Sequence, residues 1–262
     1  MQRSCRCVGL SRAAYYQLPC GDDRDAEVIK AINTVIDQHA RWGFWKTFKA
    51  LRRTGHRWNH KRVYRVYCDL RLNQKRRAKK RLPRRIKQPL LVPQLPNQVW
   101  SADFMSDTLY VGKRFRTFNV IDDFNREVLH VEIDTSITGK RLIRVFERLR
   151  LDRGLPEVLR VDNGPEFLSG EFVAWAESVG MLIQYIQPGE PNQNAYIERF
   201  NRTYRNELLD LYLFRNLAEV REATYWWMIA YNEQRPHDSL GDLTPAEYMS
   251  RNAENSTFKL SA

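Results

Sequence analysis

At 262 residues the chain can bury a full core and divide into two or three small domains. No run of 18 apolar residues and no secretory leader occurs, and Cys5, Cys7, Cys20 and Cys68 form no CxxC pair. Neither a membrane span, a zinc ribbon nor a disulfide framework is therefore indicated, and a soluble, unprocessed protein of the reduced cytoplasm is expected.

The net charge of +12 is unevenly divided: residues 1–98 hold 24 Lys and Arg against six Asp and Glu, and residues 99–262 hold 19 against 25. A front half that repels itself so strongly points to a polyanion-binding arm ahead of a mildly acidic body.

Residues 1–20 read as a partial helix-turn-helix fragment, with Gly9 as a turn, Ser11 as an N-cap and Ala13 to Tyr16 continuing a helix. Residues 22–72 read as a complete unit of that kind. Asp22 to Asp25 open a helix whose Val28, Ile29, Ile32, Val35 and Ile36 recur at helical spacing. A second helix runs through Thr47 to Arg53 and breaks at Gly55. Asn59 is the expected N-cap of a third, with Lys61, Arg62 and Arg65 on one face and Val63, Tyr64, Val66 and Tyr67 on another. Helix, glycine-containing turn and basic second helix is how such units read DNA, so Lys61, Arg62 and Arg65 are expected DNA contacts. Residues 73–95 form a basic linker. Ten of the 17 residues from Arg71 to Lys87 are Lys or Arg, and Lys75, Arg76, Arg77, Lys79, Lys80 and Arg81 are expected to track phosphates without reading bases.

The catalytic body spans 96–255. Strands are expected at Val99–Phe104, Arg116–Ile121 and Val128–Ile133, then a helix over 139–152 with Leu142, Val145, Phe146 and Leu149 on one stripe. A short strand Val158–Val161, a helix Phe172–Val179, a strand Leu182–Ile186 and a long helix starting between Pro191 and Ala195 follow. This order predicts an α/β ribonuclease-H-like core, a mixed five-stranded sheet with flanking helices, preceded by a small all-helical arm. Trp226, Trp227 and Tyr231 are expected in its core, and His237 is expected to be structural.

Three carboxylates stand out. Asp103 sits in a strand between apolar neighbours, where nothing structural asks for a charge. Asp162, 59 positions on, ends an apolar strand, and Asn163-Gly164 is expected to turn the backbone sharply away. Asp122 is a rival that turn chemistry explains. Glu198 follows Asp162 after 35 intervening residues, on a helix expected to bury Ile197, Phe200, Tyr204, Leu208 and Leu211. At about 100° per residue Glu198 lies at the edge of that stripe, with Arg205 within about 20° of its line and Arg202 about 40° round. Three converging carboxylates are what a pair of hard divalent cations requires, and such a site breaks and joins phosphodiesters. Arg202 and Arg205 are expected to lie along DNA phosphates.

The motifs Trp100-Ser101-Ala102-Asp103-Phe104, Val161-Asp162-Asn163-Gly164-Pro165-Glu166-Phe167, Pro191 to Asn201, and Tyr231 to His237 with Leu243-Thr244-Pro245-Ala246-Glu247 carry a resemblance over nearly the whole chain. The chain resembles the OrfB-type, integrase-like subunit of bacterial IS-three insertion-sequence transposases, within the DDE transposase and retroviral integrase superfamily. The resemblance implies that Asp103, Asp162 and Glu198 are catalytic and hold two Mg²⁺ ions, with Mn²⁺ able to substitute. It implies a polynucleotidyl transferase that cleaves DNA and joins a 3′-hydroxyl at terminal inverted repeats, with no covalent protein–DNA intermediate. The partners it implies are terminal-repeat and target DNA, further copies of this chain on that DNA at the nucleoid, and the helix-turn-helix and leucine-zipper product of an upstream reading frame. The opening of the chain agrees with a start inside that arrangement. His56, His60 and Cys68 match at best half of a retroviral-type zinc module. The alternative reading is a catalytically inactive DNA-binding regulator competing for transposon ends; a ribonuclease H leaves the basic arm without a role.

Overall fold

The computed structural model describes residues 25–73, 93–187 and 194–258, with side chains through residue 252. The expected fragment at 1–20 and the linker residues 74–92 lie outside the described residues. The chain divides into two compact units, residues 1–79 and 80–262.

The described residues of the first unit hold three helices: α1 (Ala26–Gln38), α2 (Phe44–Arg53) and α3 (His60–Asp69). Val28 and Ile32 of α1, Leu51 of α2, and Val63, Val66 and Tyr67 of α3 form its core. α2 begins three residues before the expected start, at a Gly43 N-cap with no capping side chain to reveal it. Gly55 ends the turn after α2 at φ +94°, a backbone conformation that favours glycine. Asn59 caps α3, accepting the Lys61 N–H at 2.9 Å. Tyr64, expected on the apolar face, is exposed, because Val63, Val66 and Tyr67 already fill the contact side.

The second unit is built on five strands: β1 (Val99–Thr108), β2 (Arg114–Asp122), β3 (Val128–Asp134), β4 (Val158–Val161) and β5 (Leu182–Tyr185). The sheet order is β3-β2-β1-β4-β5, with β1, β2 and β3 antiparallel and β4 and β5 parallel to β1. Helices α4 (Gly139–Arg153) and α5 (Gly170–Ser178) cover one face, where Trp100, Ala102, Phe118 and Val120 meet Leu142, Val145, Phe146 and Phe172. Helices α6 (Ala195–Tyr204) and α7 (Leu217–Glu233) cover the other, where Met105, Phe115, Val131 and Ile133 meet Ile197, Phe200, Tyr204 and Val220. β1 from Val99 to Ala102 and β2 from Thr117 to Asp122 are buried on both faces, which weakens the alternation of their sequences. α8 (Pro245–Phe258) closes the described part of the unit.

Two expectations need correction. A π-helical turn, Arg205–Leu209, follows α6, and its wider winding turns later residues round the axis. Leu208 and Leu209 are buried in consequence, and Leu211 is left half-buried, off the stripe that a uniform 100° spacing assigns it. Trp226 is 62% exposed, against Tyr225, and only Trp227 and Tyr231 pack on Phe200. Adjacent helical residues point about 100° apart, and here Trp227 rather than Trp226 faces Phe200 and Tyr204. His237 is buried edge-on against Tyr231, and Arg235 forms a buried pair with Glu207 at 2.9 Å.

Candidate active site

Successive strand side chains point to opposite faces. Trp100 and Ala102 join the α4/α5 core and Met105 the α6/α7 core, so Asp103 projects toward α6. β1 pairs with β4 in parallel, Ser101 opposite Arg160. Two residues further along, the same register brings Asp103 level with Asp162, just past the end of β4. Asp162 is held there by a local turn: its Oδ1 accepts the Gly164 N–H at 3.0 Å. A Cβ at position 164 would stand 3.0 Å from that same oxygen. The backbone turns here as expected, and Gly164 also serves close approach to the carboxylate. Glu198 lies in the first turn of α6, exposed, between the buried Ile197 and Phe200.

Burial pushes the Asp103 carboxyl up to about 6, and the negative charges of Asp162 and Glu198 push it the same way. The Phe104 N–H at 2.8 Å and the Asn201 amide at 2.7 Å pull it back. The fold thus brings the three carboxylates within electrostatic reach of one another. It does not close them into a cage: among the described residues no group of three or more His, Cys, Asp or Glu is already arranged to hold a metal. Asp103 and Asp162 each turn an oxygen to a backbone or amide donor.

Asn201 and Asn119 are residues that sequence reasoning passed over. Asn119 lies opposite Asp103 across the β1–β2 ladder, and its Nδ2 donates to Asn201 Oδ1 at 2.7 Å. The available signal was a fully buried Asn inside the apolar run Phe118 to Ile121, together with an Asn one helical turn after Glu198. Beside the site, Glu166 pairs with Arg116, whose guanidinium lies 4.3 Å from the centre of the Phe104 ring. Asp122 accepts N–H groups from Asn97 and Phe124 at 2.9 and 2.8 Å, the turn role expected of it. Asp123 makes a buried pair with Arg160 at 2.8 Å.

The basic residues divide differently. Arg205 donates to Asp107 at 3.1 Å and to the Ser106 carbonyl at 2.8 Å, tying the π turn to β1. Arg202 is exposed on α6, and Lys61 is exposed at the start of α3. Arg62 and Arg65 both pair with Asp25, just before α1, which sequence alone did not reveal. Lys75, Arg76, Arg77, Lys79, Lys80 and Arg81 lie outside the described residues. No helix among the described residues is long and apolar enough to cross a membrane.

Comparison with known proteins places this geometry in context. Residues 93–191 and 179–245 match two family models, each described as an integrase core domain, and residues 22–81 match an HTH-like domain. The "Insertion element IS407 uncharacterized 31.7 kDa protein" of Burkholderia multivorans is 38% identical over 251 residues, covering 95% of this chain and 90% of that protein. The insertion element IS476 39.2 kDa protein of Xanthomonas euvesicatoria is 36% identical, covering 94% of this chain and 71% of its own length. Transposase InsD for insertion element IS2 of Escherichia coli is 26% identical, covering 95% and 91%. Among solved structures, a chain of the simian T-cell lymphotropic virus intasome superposes with a TM-score of 0.51 at 16% identity, covering 83% of this chain and 74% of its own. That last likeness is one of fold.

Proposed function

The chain belongs to the IS-three type of insertion-element transposases, with an HTH-like domain and an integrase core, and on that premise we propose a metal-dependent polynucleotidyl transferase. The family acts in DNA transposition and integration. The finer reading is that this chain cuts DNA at the terminal inverted repeats of its element and joins the freed 3′-hydroxyl to target DNA. Asp103, Asp162 and Glu198 are its catalytic carboxylates.

One observation carries the reading. Asp103 is a carboxylate sunk in the sheet beside two others, and burial and both neighbouring negative charges disfavour its ionised form together. A cation is the simplest partner for such a site. The donor set, all carboxylate oxygen, fits hard divalent ions such as Mg²⁺ or Mn²⁺. When bound, two such ions supply Lewis acidity at the attacking and the leaving oxygen. Asn201 orients Asp103, Gly164 lets the backbone close on Asp162, and α6 carries Glu198 over the same side of the sheet. In the first step the oxygen of water bonds to phosphorus and the 3′-oxygen leaves. In the second the freed 3′-hydroxyl attacks a target phosphate and displaces the target's own 3′-oxygen. Neither step needs a protein nucleophile.

In this reading the chain works as several copies on DNA, together with the product of the upstream reading frame, at the bacterial nucleoid. Labelled terminal repeats incubated with the chain and Mg²⁺, with and without that partner, test it. Asp103→Asn, Asp162→Asn and Glu198→Gln should each abolish nicking and joining while DNA affinity stays within about three-fold. A variant keeping a tenth of wild-type joining would leave the catalytic set. Wild-type binding with no metal-dependent cleavage in either mixture would favour the inactive regulator.

A further inference from the structure

The first unit carries a cleft that the carboxylate site does not use. It is an open cleft of about 570 Å³ between α2 and α3, lined by Phe44, Trp45, His60, Lys61 and Tyr64 together with Gly43, Tyr67 and Asn73. That volume is within the range of about 300–1,000 Å³ typical of small-ligand sites. Two of its rings are held in solvent: Trp45 is 59% exposed and Tyr64 49%. Neither is needed by the small core, which Val28, Ile32, Leu51, Val63, Val66 and Tyr67 fill.

The rings are not loose. Phe44 meets Trp45 edge-on at 5.1 Å, Tyr64 at 4.8 Å and Tyr67 at 5.5 Å, so both exposed rings are braced by a common neighbour. His60 lies against Trp45, with ring centres 6.1 Å apart and planes 29° apart. Lys61 puts an exposed cation at the rim. On the same helix Arg62 and Arg65 turn instead to Asp25. α3 therefore presents two chemistries, a guanidinium pair anchored within the unit and an aromatic cleft with a cation at its mouth.

We infer that this cleft binds one unpaired DNA base, stacked on Trp45 and Tyr64, with the adjoining phosphate on Lys61. Base faces in an intact duplex are already stacked and cannot enter such a cleft, whereas an unpaired base offers a π-face and a nearby negative charge. An apolar peptide would match the rings but not Lys61, His60 or the strongly basic arm. The inference rests on the DNA-binding part of the reading above and deepens it. It makes the HTH-like domain sensitive to local unpairing as well as to duplex.

The test uses the full chain and two otherwise identical duplexes, one fully paired and one with a single unpaired 2-aminopurine. The wild type should bind the second about ten-fold more tightly, the scale of one base stack, and quench the 2-aminopurine fluorescence. Trp45→Ala and Tyr64→Ala should each erase most of that gain and the quenching, with affinity for the paired duplex within about two-fold. Trp45→Phe should restore them. Because both rings are largely exposed, these variants keep the core, and matching far-UV spectra verify it. Equal wild-type affinity for the two duplexes, or a gain that survives both alanine variants, overturns the cleft and leaves duplex binding standing. No binding of either duplex overturns the DNA reading as well. Altered self-association of the DNA-free Trp45→Ala chain in sedimentation would assign the cleft to a protein contact and overturn the proposal.

Discussion

Asn201 donates to Asp103 Oδ2 at 2.7 Å, and so a residue of α6 holds a carboxylate of β1. The amide is itself fixed by Asn119, so sheet and helix set the carboxylate's direction together. Groups that orient a metal-binding carboxylate typically contribute about 10–100-fold in metal affinity or activity. Asn201→Ala should raise the Mg²⁺ concentration for half-maximal cleavage by about that factor, with DNA affinity unchanged. A metal dependence that does not move would reduce Asn201 to a packing role.

The Arg160–Asp123 pair is buried on the same side of the sheet, with its two side chains 6% and 0% exposed. Burial pushes the Asp123 carboxyl up to about 6, so at neutral pH it remains ionised beside the guanidinium. Arg160→Met strands that charge and should cost about 3–5 kcal/mol in urea unfolding. Adding Asp123→Leu should recover most of the loss, because an apolar pair needs no solvation. If the double variant is no more stable than the single one, the pair is not what the arginine serves.

Glu132 of β3 gives the second unit a pH dependence. Its carboxyl accepts from His130 at 3.0 Å and from Arg141 at 2.6 Å, and these partners hold it down to about 2. A depressed folded value means that the stabilisation is complete above the unfolded value near 4.5 and is lost as pH falls toward 2. Wild type should exceed Glu132→Gln by roughly 3 kcal/mol near pH 5.5 and by about half of that at pH 3. An equal gap at both pH values would refute the linkage.

Asp25 accepts from both Arg62 and Arg65. Asp25→Asn removes the charge that holds them and one negative charge near the expected DNA face. If either arginine serves DNA, the variant should bind duplex several-fold more tightly and steepen the salt dependence by about one per new phosphate contact. An unchanged slope with a lower melting temperature would make both arginines structural anchors.

Much of this molecule was legible in its sequence for local reasons. Helical spacing in Val28 to Ile36 and Leu142 to Leu149, the Asn59 cap and the apolar strand Val158–Val161 each report on neighbours a few residues away, and the elements lie where those patterns put them. Element order then pointed to the mixed five-stranded sheet. Asp103 stood out as a charge inside a strand between apolar neighbours, and Asp162 and Glu198 by their spacing from it and their places at a strand end and on a helix.

Other features had no local signature. The pairing of Asp25 with Arg62 and Arg65 spans 37 and 40 residues, that of Asp123 with Arg160 spans 37, and that of Asp103 with Asn201 spans 98. The π turn at Arg205–Leu209, with Leu211 off the buried stripe, and the exposure of Trp226 likewise had no signal in the local sequence. Sequence determined which residues form each helix and strand, because backbone preference and apolar periodicity act over a turn or a pleat. Only the tertiary structure decided which charges meet, because ion pairs and hydrogen bonds form between side chains that the fold, not the chain, makes neighbours.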